Sequence, residues 1–549
     1  MFCYQCEQSG SQATGCTIIG TCGKDPQTAK IQDIILHLAK GMAMYLYRAR
    51  ELGATQAALD KTLLDALVYT VTNVNFDTEF LARYLDTLIE KRAQARQLYE
   101  TACAQSQTRV ESLTGPACWQ PATPLAARLE QSEEIAVDTR KAVLGEDIVG
   151  LQELLLYGLK GTAAYAQHAY ALGYERPEFY AFLEHALDYL TEELPQADEL
   201  LRLSLKCGEE NFHVMALLDR AHSEHFGVPE PTAVRVTPVK GHCILVSGHD
   251  LHDLATLLAA TQGLGINIYT HGEMLPAHGY PKLKQYPHLM GNYGGAWQNQ
   301  NKEFEAFPGA ILMTTNCIQK PLFNYQDRLF TTGLVGWPGV QHLQPGDWQP
   351  LIDAALAAPG FPQDEAEKTI TVGFGHQAVL GVADKIVAAV KSGQLRHFFL
   401  IGGCDGAKMG RNYYTQLAQA VPDDCAILTL ACGKYRFNKL DFGEIAGLPR
   451  LLDVGQCNDA YSAIQIASAL ADAFDTEINK LPLSLMISWY EQKAVAVLLT
   501  LFYLNIQNIH LGPTLPPFLT PALLRVLSEQ FAVRPISTAE ADLKVALSS

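Results

Sequence analysis

The hydrophobic positions of the chain follow two different periods, one in each half. In the first half, Leu, Ala and Tyr recur at i, i+3 and i+4, which is the spacing of amphipathic helices. From Pro238 onward, short apolar runs of strand length alternate with helical segments, the pattern of parallel α/β structure. A Pro/Gly/acidic stretch at 358–367 predicts a further boundary. We therefore predict a helical domain at 1–237 and two α/β domains at 238–365 and 366–549.

The helical half contains an internal repeat, which predicts two similar helix bundles. Residues 31–53 align without gaps to residues 151–173, and nine of the 23 positions are identical. The shared core has the pattern K-G-x-A-x-Y, with the pairs Lys40/Lys160, Gly41/Gly161 and Tyr45/Tyr165. Each copy ends in glycine, as helix C-termini often do. The alternative is chance similarity between amphipathic helices, which the shared core disfavours.

Seven apolar runs in the C-terminal half each finish in a residue that can bind a metal. The runs are CILVSGH, INIYTHGE, AILMTTNC, HFFLIGGC, AILTLAC, RLLDVGQC and LMISWYE. The residues that end them are His249, Glu273, Cys317, Cys404, Cys432, Cys457 and Glu491. Sites in open α/β sheets form beyond the carboxyl ends of the strands, so we expect these side chains to face one crevice between the two α/β domains. One such residue alone is more often a satisfied polar group or a small buried hydrophobe, but seven together predict a metal centre.

The mixture of donor atoms narrows the kind of metal. Four thiolates are soft ligands suited to sulfide-bridged iron, whereas one imidazole and two carboxylates are harder and suit iron with oxygen bridges. A cubane cluster needs four cysteines and a structural zinc site has four ligands, so neither accounts for all seven residues. We predict a larger iron cluster that is partly thiolate-bound and partly His/Glu-bound.

A second candidate site lies at the N-terminus, where four cysteines are spaced C-x2-C-x9-C-x5-C. They are Cys3, Cys6, Cys16 and Cys22. Such a set can wrap one tetrahedral or cubane centre, and the spacing alone leaves zinc open. The predicted iron cluster in the C-terminal half favours iron over zinc at these cysteines, because an iron–sulfur cluster here could relay electrons to it. The other cysteines are assigned to packing: Cys103, Cys118, Cys207, Cys243 and Cys425.

Charge and composition exclude several classes of protein. The formal net charge of −17 argues against binding to nucleic acid or an anionic membrane. The start MFCYQC lacks the basic and apolar regions of a signal peptide, and the longest strongly apolar run, 494–504, is too short to span a bilayer. We therefore expect a cytoplasmic protein, in which clustered cysteines hold metal or do redox chemistry. GFGHQA and GGCDG lack the G-x-G-x-x-G pattern, so an external electron-donor protein is expected.

Long motifs along the whole chain resemble the hybrid cluster protein (hydroxylamine reductase) family. They are MFCYQC, CGK beginning at Cys22, TNVNFD, SGHDL, YTHGEMLPAHGYP, GNYGGAWQNQ, TTNC, GGCDG, ACGKYRFNKL, GQCNDAYS and WYEQKA. The resemblance implies a multidomain α plus α/β protein, in which a helical domain precedes two Rossmann-like α/β domains. It implies a hybrid iron–sulfur–oxygen cluster of the [4Fe–2O–2S] type on the seven residues named above. It also implies that Cys404 can carry a persulfide sulfur and that Lys493 lies beside the cluster.

The N-terminal cysteine spacing departs from both arrangements found in that family. Its final gap and overall length favour a [4Fe–4S] cluster over [2Fe–2S]. The expected activity is reduction of hydroxylamine to ammonia and water, with electrons entering through this cluster. Glu491 and Lys493 are the predicted general acids, although Lys493 could instead only neutralise nearby negative charge.

Other functions remain open from the sequence. One is reduction of nitric oxide, and another is a non-catalytic role in nitrosative stress, in which the sulfur of Cys404 passes nitroso groups to partner thiols. A nickel–iron carbon monoxide dehydrogenase would share the architecture. Glu273 and Glu491 count against it, because such a site is expected to use more cysteine and less carboxylate.

Overall fold

The computed structural model describes residues 1–9 and 15–548, and its first half is helical. The helices are α1 (Pro26–Glu51), α2 (Ala57–Tyr69), α3 (Thr78–Ser106), α4 (Leu125–Gln131), α5 (Val137–Leu144), α6 (Glu146–Ala171), α7 (Pro177–Tyr189) and α8 (Ala197–Phe226). The first three and the last three repeat the same order of lengths, with 26, 13 and 29 residues in α1–α3 and 26, 13 and 30 in α6–α8. The sequence repeat therefore marks the first helix of two similar bundles.

The second half alternates strands with helices. Its strands are β1 (Thr232–Arg235), β2 (His242–Ser247), β3 (Ile266–His271), β4 (Leu289–Asn292), β5 (Ala310–Met313), β6 (Leu329–Thr331), β7 (Gln341–His342), β8 (Thr369–Val372), β9 (His397–Gly403), β10 (Cys425–Leu430), β11 (Glu444–Ile445), β12 (Leu448–Pro449), β13 (Leu451–Gly455), β14 (Leu483–Ser488), β15 (Ile509–Gly512) and β16 (Arg534–Pro535). Its helices are α9 (Leu251–Thr261), α10 (Pro281–Lys284), α11 (Gln300–Ala306), α12 (Gln349–Ala357), α13 (His376–Leu380), α14 (Ala383–Lys391), α15 (Asn412–Ala420), α16 (Ala460–Ala473), α17 (Gln492–Tyr503), α18 (Pro521–Phe531) and α19 (Ala539–Ser548).

Two parallel sheets organise this half. The strand order is β4-β3-β2-β5-β6-β7 in one sheet and β13-β10-β9-β14-β15-β16 in the other. The order reverses between β2 and β5 in the first sheet and between β9 and β14 in the second, and ligand sites form at such switch points. The predicted fold class, helices followed by parallel α/β structure, is confirmed. Among the described residues, no helix combines the length and the apolar character needed to cross a membrane.

A short antiparallel ribbon links the two α/β parts. β1 pairs with β8, with Thr232 opposite Val372 and Arg235 opposite Thr369. β1 lies before the predicted boundary at 237/238 and β8 lies after the one at 365/366. The domain limits stay a prediction, and this ribbon crosses both of them.

Close backbone contacts fix α17 against the helical half. A Cβ atom on Gly161 of α6 would lie 2.3 Å from the carbonyl oxygen of Gln492. A Cβ on Gly208 of α8 would lie 2.1 Å from that of Leu499. Only glycine permits such an approach, because any side chain would push the backbones apart. The start of α17, which follows Glu491, is thereby held in one place.

Candidate metal centre

Each of the seven predicted ligands follows the carboxyl end of a parallel strand. In one sheet His249, Glu273 and Cys317 follow β2, β3 and β5, and in the other Cys404, Cys432, Cys457 and Glu491 follow β9, β10, β13 and β14. Two of the turns use left-handed backbone that residues other than glycine rarely adopt, with φ of +80° at Cys317 and +61° at Ala431. Backbone strain of this kind persists only where the surrounding structure holds it, so the direction of the side chains at these two turns is fixed.

Hydrogen bonds join the two strand-end groups across the crevice. The side-chain amide of Gln456 donates to the carbonyl oxygens of His249 (3.1 Å) and Glu273 (2.7 Å). The backbone N–H of Cys457 donates to Oε2 of Glu273 at 2.8 Å. Residues from opposite sheets therefore form one site, as the strand-end argument requires.

The imidazole of His249 has one nitrogen anchored and the other directed into the site. Its Nδ1 lies 2.8 Å from Oγ1 of Thr315. Its Nε2 accepts from Nζ of Lys493 at 3.0 Å and lies 3.5 Å from Oε2 of Glu273. Because Lys493 can only donate, Nε2 carries no proton and Nδ1 donates to Thr315. An unprotonated Nε2 with its partner nitrogen fixed is the form that binds metals.

Three of the predicted ligands are close enough to share one metal ion. The donor atoms of His249, Glu273 and Cys457 all lie within 4.8 Å of one another, and all three residues are buried. No other group of three such donors in the described part of the chain is equally compact. The other four predicted ligands are not part of this compact group, so their role in binding metal stays a prediction.

Burial sets the electrostatics of the crevice. It raises the pKa of Cys404 to about 12 and that of Cys317, Cys432 and Cys457 further above the ordinary value. It also raises the pKa of Glu491. Four thiolates and the carboxylate of Glu491 would be strongly destabilised here without added positive charge. The donor set therefore fits a multivalent metal cluster, whose binding holds these groups deprotonated.

Lys493 is a buried cation at this site. Its ammonium donates to Oδ1 of Asn316 at 2.8 Å and lies 3.8 Å from Oε1 of Glu491. Burial alone would lower the pKa of Lys493, but the negative charges of Cys457 and Glu491 raise it. The residue is therefore protonated at neutral pH and points its protons into the crevice.

The four N-terminal cysteines form a second group. Cys3 and Cys16 pair through two backbone hydrogen bonds of 3.0 and 2.7 Å. Burial raises the pKa of Cys6, and the charges of Cys22 and Cys3 raise it further, which places these sulfurs near one another. The four cysteines can therefore supply the thiolates of one metal centre, and its metal stays a prediction.

A stacked aromatic pair packs with cysteines of both groups. Tyr490 and Trp297 stack with their ring centroids 4.5 Å apart. They belong to one buried cluster that also contains Cys6 and Cys432, with Cys404 packed against it. The backbone N–H of Glu7 also donates to the carbonyl oxygen of Tyr490 at 2.9 Å. The two groups are thus in contact through well-packed side chains.

Sequence reasoning missed the residues that orient the ligands. Thr315 and Asn316 stand directly before Cys317 in TTNC, and Gln456 stands directly before Cys457 in GQC. Polar residues adjacent to several predicted ligands were the available signal. His168 was also missed; its ring lies 5.8 Å from that of His249 and belongs to α6, so only the tertiary fold brings it here.

The assignment of the other cysteines to packing is wrong at one position. Cys103, Cys207, Cys243 and Cys425 are buried, but Cys118 is exposed. Its thiol donates to the carbonyl oxygen of Leu113 at 2.9 Å, within a loop that packs on α1. A surface loop, rather than the core, therefore holds Cys118.

The fold and the crevice define a multidomain α and parallel α/β protein with a candidate metal centre at facing switch points. The chain belongs to the Prismane/CO dehydrogenase family, whose model matches residues 1–544. It is 56% identical to a hydroxylamine reductase of Burkholderia lata and 54% identical to one of Geobacter sulfurreducens, with 100% of this chain and 99% of each relative covered.

The fold is also similar to solved structures of carbon monoxide dehydrogenases. The enzyme from Thermococcus sp. AM4 matches with a TM-score of 0.57 at 15% identity, covering 100% of this chain and 90% of that one. Carbon monoxide dehydrogenase IV from Carboxydothermus hydrogenoformans matches with a TM-score of 0.57 at 14% identity, covering 99% and 92%. At this identity the likeness concerns the fold alone.

Proposed function

We propose that this protein reduces hydroxylamine at a hybrid iron–sulfur–oxygen cluster in the crevice between the two parallel sheets. The ligands would be the seven strand-end residues: His249, Glu273, Cys317, Cys404, Cys432, Cys457 and Glu491. The N-terminal cysteines would hold a [4Fe–4S] cluster: Cys3, Cys6, Cys16 and Cys22. Full-length relatives that are more than half identical and are named hydroxylamine reductases support the substrate.

The observation that carries the proposal is a protonated amine beside a compact donor set. Reduction of hydroxylamine breaks the N–O bond and consumes two electrons and two protons, giving ammonia and water. A cluster held by the seven residues would supply the electrons and Lewis acidity toward the substrate. The protons must come from the protein, and Lys493 presents an ammonium 3.0 Å from Nε2 of His249.

Glu491 completes the proton supply. Its Oε2 accepts from the backbone N–H of Lys493 at 2.9 Å, which fixes the carboxylate at the start of α17. Lys493 would donate a proton to the leaving oxygen, and Glu491, after taking up a proton from outside the crevice, would pass it to the amine of Lys493. Asn316 keeps the ammonium in position by accepting a hydrogen bond of 2.8 Å.

Electrons would reach the crevice from the N-terminal cluster. Cys6 and the crevice residue Cys432 belong to the same buried cluster as the stacked Tyr490–Trp297 pair. The chain has no dinucleotide-binding motif, so an external protein would supply the electrons. A cytoplasmic location is part of the same proposal.

Substitution of Glu491 tests the assignment. Glu491→Gln keeps the shape but removes the charge, and we expect hydroxylamine turnover to fall by about 100-fold or more, the loss typical of a missing acid–base group. Glu491→Asp should lie between, because its charge remains but is withdrawn by one methylene. Anaerobic turnover would be measured as ammonia formed per iron, with an external reductant.

A matched control is Glu303→Gln. Glu303 also bonds an imidazole, that of His271 at 2.9 Å, but it is not one of the predicted ligands. The Glu303→Gln variant should therefore retain wild-type hydroxylamine turnover.

If Glu491→Gln keeps wild-type turnover and an unchanged iron content, Glu491 is neither a metal ligand nor a proton donor. Zinc at the N-terminal cysteines, nickel in the crevice, or turnover of nitric oxide but not hydroxylamine would contradict the proposed function.

A further inference from the structure

A second cavity lies in the helical half, between α1, α5 and α6. Its volume is about 600 Å³, within the range of small-molecule sites. None of the predicted cluster ligands lines it. Its apolar wall comes from several leucines: Leu36, Leu144, Leu156, Leu190 and Leu194.

One buried cation faces this cavity without a partner. The side chain of Lys40 lines the cavity, and the residue is only 9% exposed. Within residues 1–9 and 15–548, no hydrogen bond or ion pair joins its ammonium to another group, although the charge of Glu153 also acts on it. Burial and the charge of Arg140 lower its pKa to about 7. The ammonium is reached from the cavity and has no protein acceptor, so a carboxylate that enters the cavity can pair with it.

Neighbouring groups on α1 do not supply that acceptor. Asp33 and His37 lie on the same helix face as Lys40, at i, i+4 and i+7. Asp33 is about 10 Å away along the axis, too far to pair. Nε2 of His37 is buried and also has no hydrogen-bond partner among the described residues. Nζ of Lys40 and Nε2 of His37 thus lie on one face of α1 without a hydrogen-bond partner among the described residues.

The internal repeat offers a comparison within the same chain. Lys160, the equivalent of Lys40, donates to Oε1 of Gln5 at 3.2 Å and to the carbonyl oxygen of Thr70 at 3.3 Å. Gln5 of the N-terminal segment and Thr70 at the end of α2 therefore accept hydrogen bonds from the lysine of the second copy. The first copy keeps the lysine and the helix face, but in the described residues no protein group occupies the corresponding place.

We propose that this cavity binds a small organic acid that has one carboxylate and an apolar body. The carboxylate would pair with Lys40, with Arg140 as the second cation, and the body would pack on the leucine wall. Arg140 is already bound to Glu153 at 2.5 Å, so Lys40 is the cation that is free to bind the carboxylate of the ligand. Glu134, Glu192 and Glu193 also line the cavity and repel multiply charged anions such as phosphate.

Calorimetric titration of the iron-loaded protein with sodium octanoate tests the site. Octanoate should bind, and 1-octanol and inorganic phosphate should bind at least about tenfold more weakly, because each lacks one half of the recognition. Lys40→Met should lower octanoate affinity by at least about tenfold, and Lys40→Arg should restore it. Hydroxylamine turnover should stay unchanged in both variants.

The matched control is Lys141→Met. Lys141 lies on α5, but its ammonium sits over the rings of Phe2 and Tyr4 and does not line the cavity. The Lys141→Met variant should therefore bind octanoate with unchanged affinity. Leu144→Trp, which fills the cavity without altering charge, should abolish binding. No binding of octanoate to the wild type, equal binding of octanol, tighter binding of phosphate, or an unchanged affinity in Lys40→Met in folded protein would overturn the proposal.

Discussion

Replacing Gly161 by alanine should damage both the stability and the activity of the protein. The new methyl group would lie 2.3 Å from the carbonyl oxygen of Gln492 and 2.8 Å from Cβ of Ala496. Ordinary contact begins near 3.4 Å, so the start of α17 must move by about 1 Å. The backbone on both sides is helical and packed, and neither can yield at low cost.

The two energetic effects have opposite signs. Overpacking a well-packed contact costs about 1–3 kcal/mol, whereas alanine gains about 0.5–1 kcal/mol over glycine within a helix. We expect a net loss of about 1–2 kcal/mol in the free energy of unfolding. The movement also displaces Glu491 and Lys493, and a 1 Å misplacement of catalytic groups costs about 100-fold in rate.

The repeat provides the control. Gly41→Ala introduces the same change at the equivalent position, where a Cβ would lie 2.1 Å from the carbonyl oxygen of Pro116, far from the crevice. It should lower the melting temperature by a similar amount and leave ammonia formation per iron unchanged. Two results would refute this coupling: a destabilised Gly161→Ala variant whose hydroxylamine turnover stays within threefold of wild type, or an equal loss of activity in both variants.

Two further predictions concern the N-terminal loop. Arg411→Met removes the nearer of the two cations that pair with the buried carboxylate of Glu7, at 2.8 Å, and leaves the ammonium of Lys408 at 3.6 Å. Loss of this charged hydrogen bond costs about 1.5–3 kcal/mol, so hydrogen exchange of amides 4–9 should accelerate by at least about tenfold, and acceleration below threefold would refute it. Cys16→Ser should abolish the paramagnetic signal of the N-terminal cluster alone, because the hydrogen bonds of Cys16 to described residues go to Cys3 and Thr21, both in the N-terminal segment; loss of both cluster signals in folded protein would contradict the separation.

The strands and candidate ligands of the crevice could be predicted from the sequence because each ligand follows its own strand within a few residues. A buried parallel strand is a short apolar run, and the residue that ends it stands next to it in the chain, so His249 or Cys404 could be placed at a strand end without tertiary information. The same holds for α1 and α6, whose repeat is visible as aligned letters. Both the strands and the helices appear where those patterns lie.

The contacts that tune the site could not be predicted, since they join distant segments. Lys493 meets His249 across 244 positions, and Gln456 meets Glu273 across 183. No periodicity encodes such pairings. The exposed position of Cys118 has a similar origin, because its loop packs on α1 by a contact that spacing does not reveal.

The ion pair between Glu7 and Arg411 has a consequence for how the protein is made. The two residues are 404 positions apart, which at about 5–20 residues per second is roughly 20–80 s of ribosomal synthesis. The N-terminal segment thus leaves the ribosome long before Lys408 and Arg411, the two cations that pair with Glu7, are made. Until then the carboxylate of Glu7 stays in water, because burying it unpaired would be costly. The native packing of this segment therefore forms only after the C-terminal half has been synthesised.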